Sequence, residues 1–233
     1  MNNNKAITGL MVYAFYSASG NIMIMLGVVM LISVFAAVTG NPGLIGGVVG
    51  AGVAVLPNIT LLNAHKDSTS KWTKFRAAMP VKRRSIVASL YISHVLTCIV
   101  AIALMAALLA VFWGLHGDFM AELNFPALVP LAVVFPLLAC ALFYPLLFTI
   151  GEGKEEALSI ICILGGAAAA VGIFWFAIYW GQGLWEHWQA SIKLGAIFGY
   201  ADGLGVFLYF VISLVLFVLS YVISVKIYAK KDL

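Results

Sequence analysis

The sequence predicts an all-α integral membrane protein with six transmembrane helices, on three observations: its composition, its long apolar runs and the placement of its basic residues. Of 233 residues, 64% are hydrophobic and 9% charged, and the mean hydropathy is +1.07. Soluble domains use roughly 25% charged and 45–50% apolar residues. A helix needs roughly 20 apolar residues to cross about 30 Å of hydrocarbon. Six runs meet that length, at about 20–38, 43–62, 86–114, 127–149, 157–180 and 204–225. The short alternating segments of a transmembrane β-barrel are absent. The chain therefore reads as one membrane domain, residues 1–233.

The third observation orients it. Placing both termini in the cytosol puts Lys5, the cluster Lys66, Lys71, Lys74, Arg76, Lys82, Arg83 and Arg84, then Lys154, Lys226, Lys230 and Lys231 inside, 12 of 13 Lys and Arg. Only Lys193 falls outside, with Asp118, Glu122, Glu186 and Asp202. Excess Lys and Arg in short loops marks the cytoplasmic face, so a multi-pass chain with both termini cytoplasmic is expected. No small-residue cleavage pattern follows the first apolar stretch, so no removable signal peptide is expected. Cys98, Cys140 and Cys162 all lie in predicted spans and imply no disulfide framework.

The elements follow in order. Before span one, Ile7, Leu10, Met11 and Ala14 recur at helical spacing. This suits an interfacial helix over residues 1–18, with a simple extension of span one as the alternative. Span one closes at Thr39-Gly40-Asn41-Pro42-Gly43, a turn signal, since Gly supplies unusual dihedrals and Pro cannot continue a helix. Span two carries Gly46, Gly47, Gly50 and Gly52, a face that lets backbones approach closely in lipid; close packing is the first explanation and a homodimer contact the second.

Residues 63–84 form the most informative loop. Asp67 and Ser68 are N-cap types, and Pro80 disfavours helix in the residue before it. Between them Trp72, Phe75 and Met79 fall at i, i+3 and i+7, with Lys71, Lys74 and Arg76 off that stripe. The pattern predicts a short amphipathic cytosolic helix. Loop cations alone satisfy the orientation rule, but they do not explain an aromatic pair, which ordinarily covers something.

Span three is long, so its first turns project into the cytosol or the helix tilts. Its His94 has no intramembrane Asp or Glu to partner it and reads as a neutral, hydrogen-bonded packing residue. Span four holds Pro130, Pro136 and Pro145, which predict a bent or discontinuous helix. It ends in Gly151-Glu152-Gly153-Lys154-Glu155-Glu156, a short acidic cytosolic loop. Residues 181–203, with Trp185 and Trp188, are too polar to cross and too apolar for a free loop. They are expected to form outer re-entrant or interfacial helices.

The chemistry is one of absences. The sequence has no GxxxxGK[ST] phosphate loop, and His65, His94, His116 and His187 show no metal-ligand spacing. No catalytic residue, bound cofactor or resident metal is expected, nor a nucleic-acid partner. Ion-coupled carriers place ionisable groups in mid-membrane, and none of the nine acids falls there. Energy for any transport must come from a separate chain docking on the cytosolic loops.

The run Asp67-Ser68-Thr69-Ser70-Lys71-Trp72-Thr73-Lys74-Phe75, followed by Met79-Pro80-Val81-Lys82-Arg83-Arg84-Ser85-Ile86-Val87, resembles the second-loop pattern of type-2 ABC exporter permeases. The resemblance is to a small six-span bacterial subgroup that includes the membrane subunits of phenol-soluble-modulin exporters. It extends to Pro145 and Gly151-x-x-Lys154-Glu155 and departs at Met79, where Leu is usual, and at Ser89-Leu90-Tyr91, where Ser-Lys-Tyr is common.

The resemblance implies a coupling helix seated in an ABC ATPase, with Asp67, Lys71, Trp72, Lys74, Phe75, Arg76, Met79 and Arg83 at the contact. Glu152, Lys154, Glu155 and Glu156 would form a second, shorter coupling element. It further implies ATP and Mg on the partner ATPase, and pairing with a second copy or a sibling permease among membrane lipids. An apolar path suits export of amphipathic or hydrophobic peptides of cytolytic or antimicrobial type. The competing reading is a non-transporting membrane immunity or scaffold protein that binds a peptide or lipid.

Overall fold

Helices long and apolar enough to cross a membrane number six among the described residues, which in this computed structural model are 3–63, 81–116, 125–150, 153–188 and 203–230. They are α1 (Asn3–Thr39), α2 (Pro42–Leu62), α3 (Arg83–His116), α4 (Phe125–Ile150), α5 (Glu155–Trp188) and α6 (Gly203–Lys230). No strand occurs among the described residues. Successive helices alternate direction, so the start of α1, α3 and α5 and the end of α2, α4 and α6 share one end of the bundle. Lys82, Arg83, Lys154, Lys226 and Lys230 all belong to that end, called the basic end below.

The turn between α1 and α2 forms as its residues dictate. Gly40 takes φ +61°, the left-handed conformation that closes helices and that Gly adopts without strain. Asn41 is the N-cap of α2, its side chain accepting from the Leu44 N–H at 3.2 Å, and Pro42 opens the helix. From the neighbouring α3, His116 Nε2 donates to the Ala37 carbonyl at 2.7 Å, meeting one of the acceptors that every helix C-terminus leaves unpaired.

Two three-helix groups pack side by side. One core joins α1, α2 and α3 around Ala36, Ile45, Val49, Leu56, Ala101, Met105 and Phe112; another joins α4, α5 and α6 around Val134, Leu138, Ala170 and Tyr209. Contacts of α2 with α4 and of α3 with α6 bridge them. A third cluster, at the basic end, draws on all six helices through residues such as Leu10, Leu61, Ile86, Phe143, Leu158 and Tyr228. Where α4 meets α5 the backbones nearly touch: a Cβ on Gly166 would lie 2.7 Å from the Ala139 Cα and N.

The structure corrects three expectations. Residues 3–39 form one unbroken helix, so residues 5–18 continue span one instead of forming a separate helix. No proline interrupts them, and Ser and Gly are too weak as breakers when the apolar pattern continues. At 37 residues the helix is about 55 Å long, well beyond about 30 Å of hydrocarbon. Asn21 Nδ2 donates to Asn63 Oδ1, the C-cap of α2, at 3.1 Å, so residues 3–20 lie beyond the end of α2. There Leu10 packs with Ile86 and Tyr228, at the ends of α3 and α6.

The second correction concerns α5, which runs on through residues 181–188; the expected re-entrant segment does not begin at Gly181, and residues 189–202 lie outside the described ones. The third is α4, continuous across Pro136 and Pro145, so that of the bent or discontinuous helix expected the discontinuous form is not taken up. The reason lies in the neighbouring helix and is given below.

Candidate functional site

Of the residues expected to dock an ATPase, Asp67, Lys71, Trp72, Lys74, Phe75, Arg76, Met79 and Glu152 lie outside the described residues. Arg83, Lys154, Glu155 and Glu156 lie within them, all at the basic end. The loop that carries Asp67 to Met79 is held at both edges. Its first edge is Asn63, whose backbone N–H donates to the Ile59 carbonyl at 3.1 Å. Its second is Lys82, whose carbonyl accepts from the Ser85 and Ile86 N–H groups to start α3.

Arg83 ties that second edge across the bundle. Its Nη1 donates to the carbonyls of Ala229 at 3.1 Å and Tyr228 at 3.4 Å, which belong to the last turn of α6. Helix C-termini carry unpaired carbonyls and a partial negative charge, so a guanidinium there satisfies both. The loop, α3 and the C-terminal turn are thereby joined.

The turn between α4 and α5 is arranged differently. Gly153 takes φ +100°, and Glu155 is buried, its Oε1 accepting the Gly153 N–H at 2.9 Å. The Lys154 carbonyl accepts the Leu158 N–H and opens α5. Lys154 and Glu156 are exposed, so they present charge outward while Glu155 shapes the turn. A carboxylate at a helix N-terminus is favoured by the dipole.

Above the basic end runs a ladder of polar and aromatic contacts. Pro145 has no N–H to donate, which leaves the Ala141 carbonyl without its helical partner. Ser220 Oγ of α6 donates to that carbonyl at 2.6 Å, and this is what lets α4 pass Pro145 unbroken. Tyr91 Oη of α3 lies 2.7 Å from Ser220 Oγ and 2.8 Å from Ser224 Oγ. The Tyr91 ring packs against Tyr144, Phe217 and Tyr221 at 5.0–5.4 Å between centroids. Phe148 continues the ladder to Tyr228 at 4.9 Å. Three helices are thus linked from the base of α3 to the end of α6.

His94 forms a second bridge. Its Nε2 lies 2.9 Å from the Pro136 carbonyl and its Nδ1 2.8 Å from Thr60 Oγ1. A carbonyl only accepts, so Nε2 carries the hydrogen, while Nδ1 faces the Thr60 hydroxyl, which also lies 2.7 Å from the Pro57 carbonyl. Histidine joins α2, α3 and α4 in a fully buried position, as its reading as a packing residue expects.

Two of the span-two glycines, Gly47 and Gly50, do not serve close packing within the chain. A Cβ on Gly47 or Gly50 would meet nothing within 4 Å. They line a groove of about 440 Å³ with Gly43, Ala51 and Ala54, floored by Ala132 and Phe135 of α4 and walled by Ala167 and Ala170 of α5. Gly52 is the exception, packed on the Met105 side chain.

No group of three His, Cys, Asp or Glu that could hold a metal occurs among the described residues. The Asp, Glu, Lys and Arg among them all sit at or within about a turn of a helix end, so no charge stands in mid-span. The family described as "ABC-2 family transporter protein" matches residues 9–229. The chain belongs to the ABC-2 transporter family. It is a permease component, the non-catalytic membrane part of an ABC transporter, and ABC-2 permeases generally partner with an ABC ATPase subunit. No curated protein and no solved structure matches it.

Sequence reasoning missed Tyr91, Ser220, Ser224 and the Asn21–Asn63 pair. A signal existed for one: Pro145 announces an orphan carbonyl at Ala141 four residues earlier. Which of the α6 serines would answer it depends on helix packing.

Proposed function

We propose that this ABC-2 permease exports amphipathic or hydrophobic peptides from a bacterial cytoplasm, across the plasma membrane, with its basic end and both termini cytosolic. Residues 67–79 act as the coupling helix, and the turn at residues 152–156 as a smaller second contact. Trp72, Phe75 and Met79 enter a groove of the ATPase, while Lys71, Lys74 and Arg76 lie along its rim. ATP and Mg bind the partner ATPase, which drives the spans from outside the membrane.

The observation that carries this reading is the combination of spans with no Asp, Glu, Lys or Arg in their middle among the described residues with a basic loop whose second edge Arg83 braces against α6. An ion-coupled carrier would need an ionisable group in mid-membrane. The small-residue groove between α2 and α5 favours apolar cargo over charged solutes. Pairing with a second copy or a sibling permease is supported by α1, which exposes Met23, Leu31, Val34, Phe35 and Val38.

The test is co-purification with ATPase subunits encoded in the same genome, in lipid nanodiscs. The expected result is stable co-elution, with hydrolysis stimulated by the permease and uncoupled by Trp72→Ala with Phe75→Ala. Wild-type assembly, hydrolysis and peptide export in that double variant would refute the coupling helix. No association with any candidate would instead favour an immunity or scaffold role.

A further inference from the structure

The basic end holds a second feature, on the lipid-facing side of α3 and α6. A groove of about 300 Å³ separates these helices, with Ala88, Ile92 and Val95 on one wall and Phe217, Val218 and Tyr221 on the other. Tyr91 forms its floor, with its hydroxyl turned inward to Ser220 and Ser224. The walls are apolar, and the groove opens outward, since Ile92 is 44% and Val218 52% exposed. Neither dry walls nor an open side suits a polar solute, whereas a hydrocarbon chain meets both conditions.

The groove has a charged end. Arg84 lies one helical turn before Ala88 on the same face of α3, and its Nε donates to Tyr221 Oη at 3.4 Å. That contact holds an exposed guanidinium directly over the groove's aromatic mouth. Lys82 is exposed beside it, and Lys226 follows Val218 and Val222 on the stripe of α6. The first turn of α3 holds no acidic residue, and its helix N-terminus adds positive potential. A tyrosine hydroxyl with arginine marks headgroup depth in a membrane, and basic pockets between spans bind anionic headgroups.

We infer that the α3/α6 groove is a site for one anionic phospholipid of the leaflet at the basic end. One acyl chain lies along Ala88, Ile92, Val95 and Phe217, and the phosphate sits against Arg84 and Lys82. Guanidinium pairs with phosphate oxygens by two parallel hydrogen bonds, which a zwitterionic headgroup offers with less net attraction. A second copy of the chain is a poorer occupant. A two-fold contact centred on this groove would set Lys82 and Arg84 of each protomer against their own counterparts, and like charges across an interface are unfavourable.

The test is native mass spectrometry of the full chain in detergent, titrated separately with dioleoyl phosphatidylglycerol and dioleoyl phosphatidylcholine. The first phosphatidylglycerol is expected to bind at least about fivefold more tightly, the effect of one basic side chain near an anionic headgroup. Arg84→Gln is expected to lower phosphatidylglycerol binding by about that factor and phosphatidylcholine binding by less, so that the preference shrinks. Val218→Trp, at a lipid-facing position that tolerates bulk, fills the groove and is expected to weaken the first binding event for both lipids. Equal retention of the two lipids by wild type, or a preference that survives Arg84→Gln, overturns the assignment. So does a change of oligomeric state in Val218→Trp with lipid binding intact, which would show that protein covers the groove. None of these readings depends on an ATPase, so the lipid site fails or stands apart from the proposed transport function.

Discussion

Replacing Ser220 by alanine tests the contact on which the continuity of α4 depends. The hydroxyl donates at 2.6 Å to the Ala141 carbonyl, which Pro145 deprives of its helical N–H. Leaving a buried acceptor unpaired costs about 1–3 kcal/mol, while side-chain hydrogen bonds measured within membranes average about 0.6 and reach about 1.7 kcal/mol. Tyr91 keeps Ser224 at 2.8 Å, so only the carbonyl loses its partner. A loss of about 1 kcal/mol is therefore expected, equivalent to about 2–4 °C in melting temperature for a chain of this length.

The decisive measurement is a double-mutant cycle with Pro145→Ala, read as thermal unfolding of the full chain in one detergent. Alanine at 145 restores an N–H to the Ala141 carbonyl, so Ser220→Ala then has little left to remove. Its cost in the Pro145→Ala background is expected to fall below about 0.3 kcal/mol, near the error within which independent sites add. Equal costs in both backgrounds would refute the assignment of Ser220 as the donor that replaces the missing backbone bond.

Three further outcomes follow from the geometry. Gly166→Ala forces a Cβ to 2.7 Å from the Ala139 backbone and is expected to destabilise by about 1–3 kcal/mol; Gly47→Ala meets nothing within 4 Å and is expected to be neutral or stabilising by up to about 1 kcal/mol, both checked by melting temperature. Arg83→Gln removes a charge from the last turn of α6 and is expected to cost about 1–2 kcal/mol, with faster amide hydrogen exchange across residues 226–230. His94→Leu breaks the link from Thr60 to the Pro136 carbonyl and is expected to cost about 1–3 kcal/mol, whereas unchanged stability would show that the bridge contributes nothing.

The spans and their number were legible in the sequence because the physics behind them is local. Twenty apolar residues in a row have few alternatives in lipid, and the Gly40-Asn41-Pro42 turn is encoded by the dihedral limits of the residues that make it. The ends of helices were less legible for an equally physical reason. At Ser17 to Gly20 and at Gly181, weak breakers compete with a favourable apolar pattern, and the helix continued in both places. Proline in α4 misled in the other direction. The carbonyl that Pro145 leaves without its helical partner is predictable from its own helix, but the compensating hydroxyl came from Ser220, which is 75 positions away and aligned only by the packing of α4 on α6.

The same division between local and tertiary information runs through the functional end. The clustering of basic residues between 66 and 84 can be read from the sequence alone, whereas the helix expected to carry Trp72, Phe75 and Met79 lies outside the described residues. What Arg83 does cannot be read that way. In sequence it is one cation among the seven of a basic loop; in the bundle it clasps the carbonyls of Tyr228 and Ala229 while its neighbour Arg84 turns to Tyr221 on the lipid side. Consecutive residues on a helix point about 100° apart, so one faces the protein and the next faces the membrane. On the proposed reading, the loop that receives force from an ATPase is thereby anchored to the spans by one arginine and to the surrounding bilayer by the other. A pull on the loop then moves α3 and α6 together, and the Tyr91–Ser220–Ala141 contacts carry that motion to α4.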